Sequence, residues 1–291
     1  HPMNRLLQGD VGSGKTIVAV MGMAMVIQSG AQAALMAPTG ILAEQHYQTI
    51  RKLLTAGTED SPAFLEEGQV RLLTGDTTQA DRGEIFAGLE SGYVKLLIGT
   101  HALIEDPVTF QNLQMVVVDE QHRFGVSQRA ALRNKGDNPH LLVMTATPIP
   151  RSLQFTIFGD LDVSIMDEMP AGRLPVTTMI VYPTERERVY QTIRKQVEEG
   201  YQAFIIYPLV EAGENDEIKA AVDEQVRLQE EIFPDLKVGL VHGRLKPAEK
   251  DAVMLAFRAK QFDILVSTSV VEVGVDIPNA TIMVIEGANH F

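Results

Sequence analysis

Apolar residues in this chain come in short unbroken segments set between longer amphipathic stretches, and these segments define the elements to expect. Residues 33–36, 70–73, 95–98, 115–118 and 141–144 each form such a segment, without alternation of polar and apolar positions, and Arg5-Leu6-Leu7-Gln8 reads as a short strand before them. A strand covered on both faces reads this way, whereas a half-exposed strand alternates. The stretches between are long enough for crossover helices, so the first half predicts a parallel α/β sheet. Residues 17–27 predict a buried helix, joined by a turn to the buried strand at 33–36.

A break follows. Met169-Pro170-Ala171-Gly172-Arg173-Leu174-Pro175 places two Pro and one Gly in seven residues, which suits a linker better than a helix or a central strand. A second series of strands is expected at 178–181, 203–207, 238–241, 264–266 and 282–285, with helices over 185–199, 218–232 and 247–259. Residues 211–223 are acidic and polar enough to predict a solvated loop. The expected organisation is therefore an α/β domain over 1–168, a linker over 169–176 and a second α/β domain over 177–291.

Composition supports this division. At 291 residues the chain exceeds the length over which one core keeps growing, and 45% hydrophobic with 22% charged residues is the balance of a folded protein. The absence of Cys excludes disulfides, thiolate metal sites and Cys nucleophiles, and it fits a reducing compartment, so the cytoplasm is expected. A net charge of -13 argues against binding nucleic acid over the whole surface and leaves room for a local basic groove. The uncharged stretch from Ile17 to Ala43 has a continuously apolar part of only 11 residues, where a bilayer span needs about 20. His1-Pro2-Met3-Asn4-Arg5 lacks the basic-then-apolar order of a signal peptide and reads as a cut just before a strand.

Gly9-Asp10-Val11-Gly12-Ser13-Gly14-Lys15-Thr16 matches the phosphate-loop pattern and lies between a predicted strand and a predicted helix, as that loop requires. Its glycines let successive backbone N–H groups curl around a phosphate, and the helix N-terminus adds its positive dipole. Lys15 is then placed for the β/γ oxygens of ATP and the Thr16 hydroxyl for Mg²⁺. Asp119-Glu120 ends the apolar strand at 115–118, where ligands of parallel sheets bind. An isolated Asp-Glu in that position is more often a helix cap. Beside a phosphate loop it reads instead as Asp119 holding Mg²⁺ through water and Glu120 orienting and deprotonating the attacking water. Thr145-Ala146-Thr147 ends the next strand and is a candidate relay, with a turn or cap as the plainer alternative. Thr268-Ser269, Gly274 and Asp276 have the same character in the second half.

Taken in order, the phosphate loop, Ala37-Pro38-Thr39, Gly99-Thr100-His101, Asp119-Glu120-Gln121-His122, Thr145-Ala146-Thr147 and Glu272-Val273-Gly274-Val275-Asp276 resemble the motif series of a superfamily 2 helicase motor. Asp119 to Gly125, Thr147-Pro148-Ile149-Pro150-Arg151, Pro170-Ala171-Gly172-Arg173 and the segment from Leu240 to Lys250 narrow the resemblance to the RecG family of bacterial DNA helicases. It implies two tandem RecA-like domains, the second incomplete, and ATP-driven action on forked or branched DNA in repair and recombination by a monomeric motor. Residue by residue, it implies that Gln121 and His122 sense the γ-phosphate, that Thr39, Thr100, His101, Thr268 and Ser269 touch the DNA backbone, and that Gly274 and Asp276 face the nucleotide. Members of the family also carry a wedge domain before the motor and an arginine-finger motif after a segment like residues 286–291. A piece without them is expected to bind MgATP and to turn it over poorly.

Other readings stay open at this point. A transcription-repair coupling factor type translocase shares the motor, although it typically has Glu where Gln121 stands. An RNA helicase has a similar motor with a different acidic motif. A nucleotide-dependent switch without unwinding activity needs only the phosphate loop, although a GTPase of that kind would not need the second α/β half.

Overall fold

The structure, a computed structural model, describes residues 1–57, 62–119, 126–146, 161–168, 176–207, 214–268 and 277–288. It divides into two compact units, His1–Pro175 and Val176–Phe291. The first is built on a seven-stranded sheet: β1 (Asn4–Gly9), β2 (Gln32–Met36), β3 (Val70–Leu73), β4 (Leu96–Gly99), β5 (Leu113–Asp119), β6 (His140–Thr145) and β7 (Asp162–Met166). The order is β3-β4-β2-β5-β6-β1-β7, and every ladder between these strands is parallel. Helices α1 (Lys15–Gln28), α2 (Gly40–Thr55), α3 (Gln79–Glu90) and α4 (Val126–Arg133) lie between strands.

The unbroken apolar runs have the expected cause. Neighbouring residues of one strand enter opposite cores: Leu6, Ala34, Val116 and Val143 pack with Ile85 and Leu89 of α3, while Leu7, Ala33, Val117 and Leu142 pack with Ala19, Val20 and Met23 of α1 and Ile50 of α2. Each of the larger side chains, Val, Leu, Ile or Met, contributes about 1.5–3 kcal/mol by leaving water, and each Ala methyl about 0.8 kcal/mol. Helix α1 departs from the expectation of all-round burial. Ala19, Val20, Met23 and Ile27 face the core, but Met21 and Met25 are 63% and 73% exposed, because a helix on an outer layer covers its sheet with one stripe only. Among the described residues no helix is long and apolar enough to cross a membrane.

Strand β7 is an element the apolar pattern misses. It is an edge strand whose Asp162 and Ser164 are held by the Arg5 guanidinium, at 3.4 and 2.7 Å, so polar contacts and a ladder to β1 replace burial.

In the second unit β8 (Gln202–Tyr207), β9 (Val238–Val241), β10 (Ile264–Thr268) and β11 (Ala280–Ile285) form a parallel sheet of order β11-β8-β10-β9. Helices α5 (Arg186–Glu198), α6 (Glu214–Arg227) and α7 (Pro247–Arg258) accompany it, with a π-helical turn over Leu228–Ile232. Two expectations are corrected. Residues 178–181 form no strand and lie exposed, Ile180 at 89%. Strand preference is a fit to a pleated, half-buried surface, and no described strand offers this segment a ladder. Residues 214–223 belong to α6 rather than to a solvated loop. Their Glu, Ala and Lys are good helix formers, and Ala221, 2% exposed, anchors the helix.

The two units share an anchoring device. Gly30-Ala31-Gln32-Ala33 and Gly200-Tyr201-Gln202-Ala203 each follow a helix, and the glycines take φ values of 92° and 90° that favour Gly. Gln32 is buried and donates from Nε2 to Leu89 O and Val94 O, at 2.9 and 2.7 Å. Gln202 is likewise buried and donates to Phe257 O and Phe262 O, at 2.8 and 2.7 Å. Each glutamine thus ties the first residue of its strand to the end of a helix and to the loop beyond that helix. The backbone N–H groups of the two bind Asn112 O and Asn279 O.

Candidate active site

A parallel sheet brings the C-terminal ends of its strands to one edge, where ligands of such folds bind. β1 ends at Gly9, β2 at Met36, β4 at Gly99, β5 at Asp119 and β6 at Thr145. The phosphate loop, Thr39, Thr100, His101, Asp119 and Thr145 therefore gather at this edge from distant parts of the sequence. The ladders fix their spacing, since Asp119 pairs with Met144 on β6 and Thr145 with Gln8 on β1. Strand β6 lies between the strand that carries the acid and the strand that feeds the loop.

The loop has the backbone a phosphate needs. Gly12 and Gly14 take φ values of 80° and 97°, and Gly14 stands at the N-cap of α1 with no side chain capping the helix. Val11 N donates to Asp10 Oδ1 at 2.7 Å, and Ser13 N to Asp10 O at 3.1 Å. Ser13 Oγ is buried and has no partner among the described residues. The loop closes tightly on the end of β7, where a Cβ at Gly9 would stand 2.9 Å from Met166 Cβ. Lys15 is buried, its Nζ donating to Gly9 O at 2.7 Å and to Asp10 O at 2.8 Å. Thr16 is half-buried one residue on.

Asp119 is 7% exposed, and its Oδ2 accepts from His46 Nε2 at 2.7 Å. The ring N must carry the proton here, because an ionised carboxylate only accepts. His46 belongs to the buried stripe of α2, with Ala43, Ile50 and Leu54. Sequence reasoning passed over it. The available signal was a polar residue in an apolar stripe, which composition alone does not single out.

The remaining expected residues divide. Thr145 is buried and Ala146 half-buried. Thr39 Oγ1 accepts from Leu42 N at 3.3 Å, so it caps α2. Thr100 is buried, with its Oγ1 unpartnered among the described residues, whereas His101 beside it is exposed. Thr268 ends β10 in the second unit, buried and likewise with an unpartnered Oγ1. Glu120, Gln121, His122, Thr147, Ser269, Gly274 and Asp276 lie outside the described residues.

Comparison with known proteins agrees with this geometry. The DEAD/DEAH box helicase family matches residues 2–156, more than half of the chain, and the helicase conserved C-terminal domain matches residues 184–290. The ATP-dependent DNA helicase RecG of Synechocystis is 55% identical over the whole chain, which spans 34% of that protein. RecG of Thermotoga maritima is 50% identical, with 100% of this chain and 36% of the relative aligned. The chain thus spans about a third of the length of these curated relatives. A solved structure of RecG bound to a three-way DNA junction superposes with a TM-score of 0.79 at 47% identity, over 97% of this chain and 35% of that one. Mss116p bound to single-stranded RNA and AMP-PNP, at TM-score 0.67 and 19% identity over 99% of this chain and 61% of its own, shows the shared fold alone. The two parallel-sheet units are RecA-like domains, and the chain belongs to the DEAD/DEAH box helicase family, with RecG helicases among its similar relatives.

Proposed function

We propose that this chain is the ATP-hydrolysing motor of a cytoplasmic, monomeric DNA helicase that acts on forked and branched duplexes in repair and recombination. The observation that carries the reading is the convergence of the phosphate loop and Asp119 on one sheet edge, on strands separated only by β6. The loop amides around Gly9, Asp10, Val11, Gly12, Ser13 and Gly14 and the Lys15 ammonium hold the phosphates. Thr16 and Asp119 are the residues to hold Mg²⁺. The donor set fits that ion. Asp119 offers one buried carboxylate and Thr16 a hydroxyl next to Lys15, and Mg²⁺ is characteristically held by one or two carboxylates and substrate phosphates. When bound it neutralises charge on the transferring phosphoryl group. Glu120 takes the proton of the attacking water, Gln121 and His122 sense the γ-phosphate, and Gly274 and Asp276 are nucleotide-binding residues in this reading. Thr145, Ala146 and Thr147 relay the change.

Thr39, Thr100, His101, Thr268 and Ser269 contact the DNA backbone in this reading. Backbone contacts carry no sequence information and weaken as salt rises. The test is fluorescence anisotropy with forked DNA, linear duplex and RNA of equal length, each with and without a non-hydrolysable ATP analogue. Tightest, analogue-dependent binding to forked DNA is expected. Equal or tighter binding to RNA overturns the proposal in favour of an RNA helicase, and a chain that responds to nucleotide without binding DNA overturns it in favour of a switch module.

A further inference from the structure

We propose that His46 is a positioning residue for the metal-binding carboxylate, its imidazole N–H holding Asp119 Oδ2 so that the acid meets Mg²⁺ in one orientation. The inference rests on the reading of Asp119 as a Mg²⁺-binding group, and it concerns a residue to which neither the phosphate loop nor the motif series assigns a role.

The placement is specific. Helix α2 buries Ala43, His46, Ile50 and Leu54 on one side, and an imidazole in an apolar stripe costs desolvation unless it is paired. It is paired, at 2.7 Å, with both side chains about 90% buried. The bond joins the helix after β2 to the end of β5, strands that are neighbours in the sheet. Helix α2 does not depend on this bond to form, since it has its own Thr39 cap and a buried apolar face. What the bond adds is a fixed carboxylate. Groups that hold a metal-binding carboxylate in place typically change metal affinity by about 10–100-fold when removed.

The test measures Mn²⁺ affinity by electron paramagnetic resonance in the ADP-loaded chain, with ADP affinity in the presence of a chelator as the folding control. His46→Leu is expected to weaken Mn²⁺ by about tenfold or more, while metal-free ADP affinity stays within about twofold. His46→Gln, which keeps an N–H at similar reach, is expected to recover most of the loss. If the leucine variant does not fold, His46→Asn, polar but too short to reach Asp119 Oδ2, takes its place. Asp119→Ala separates the two levels of inference. If it weakens Mn²⁺ while His46→Leu or His46→Asn does not, the positioning role is overturned and the reading of Asp119 stands. If Asp119→Ala leaves Mn²⁺ affinity unchanged, both fall. Equal loss in His46→Gln and His46→Leu also overturns the proposal, because a purely steric role would behave that way.

Discussion

Lys15 folds back on its own loop, with Nζ donating to Gly9 O at 2.7 Å. A second bond to Asp10 O at 2.8 Å fixes the ammonium inside the curve of the loop. The charge is thereby already ordered where a phosphate is to be bound, so little side-chain entropy remains to be lost on binding. Lys15→Ala removes a charge-assisted donor worth about 1.5–3 kcal/mol. Loss of ATP affinity by about 10–100-fold is expected in an equilibrium titration. Lys15→Arg is expected to fail as well, because a planar guanidinium fork does not reproduce a compact ammonium. An alanine variant that binds ATP like the parent would remove Lys15 from the phosphate site.

Gly99 ends β4 immediately before Thr100, and a Cβ there would stand 1.9 Å from the backbone oxygen of Leu73 and 2.4 Å from Leu103 Cδ1. The first of these neighbours is backbone and cannot rotate away. Overpacking of this kind typically costs about 1–3 kcal/mol, and Gly99→Ala is expected to reach the upper end of that range in denaturant unfolding. The signal is absent from hydropathy, since Gly at a strand end reads only as a turn.

The paired glutamines give a prediction in each unit. Gln32→Leu leaves Leu89 O and Val94 O without their side-chain donor, and Gln202→Leu does the same to Phe257 O and Phe262 O. Leu89 O keeps Gly92 N and Gln111 N, and Phe257 O keeps Lys260 N, so the cost falls on Val94 O and Phe262 O, at about 1–3 kcal/mol for a buried acceptor left unsatisfied. Both variants are therefore expected to lower the denaturant midpoint of their own unit, followed by hydrogen exchange. An unchanged midpoint in either would show that water or relaxation satisfies those carbonyls.

How much of this was legible in the residues depends on what holds each element. Strands β3 and β9 could be read to the residue because short, largely apolar runs are bounded by polar loops. Strand β7 was hidden because Arg5 contacts and a ladder stabilise it in place of burial. Residues 178–181 were over-read for the opposite reason, having strand composition but no described strand to pair with. At the site, the phosphate loop was legible because its chemistry is local in sequence. The link from His46 to Asp119 was not, because 73 residues separate them and only the fold brings them together. The repeated Gly-x-Gln-Ala was visible in the chain, but its meaning lies in helix ends far away in sequence.

Glu224 on α6 gives the second unit an acid limb. Arg227 is hydrogen-bonded to its carboxylate, and Tyr207 donates to it at 3.0 Å. The Arg227 bond, followed by the Tyr207 bond, holds the Glu224 carboxyl below its ordinary value of 4.5 despite partial burial. A depressed acid pKa means that the unfolded chain binds the proton more readily. The stabilisation is thus complete above about pH 4.5 and is lost as pH falls through the lower folded value. Glu224→Gln is expected to flatten the stability profile below that pH and leave its shape above it unchanged, as measured by urea unfolding across the acid range. An unaltered acid limb in the variant would place the titration elsewhere.

Thr100 and Thr268 separate stability from function most sharply. Both are at least 95% buried, both stand at or just beyond the C-terminal end of a central strand, and both have an Oγ1 with no partner among the described residues. A buried hydroxyl that makes no bond is a liability of about 1–3 kcal/mol. Valine, nearly the same shape without the hydroxyl, should therefore leave stability unchanged or raise it by up to about 1 kcal/mol. If the hydroxyls serve the DNA backbone, Thr100→Val and Thr268→Val should weaken binding to forked DNA several-fold and uniformly across sequences, as backbone contacts do. Anisotropy titrations and thermal unfolding on the same samples decide it. A variant that is more stable and binds DNA as tightly as the parent would assign that threonine to the core. One that is less stable would show that its hydroxyl has a partner within the protein.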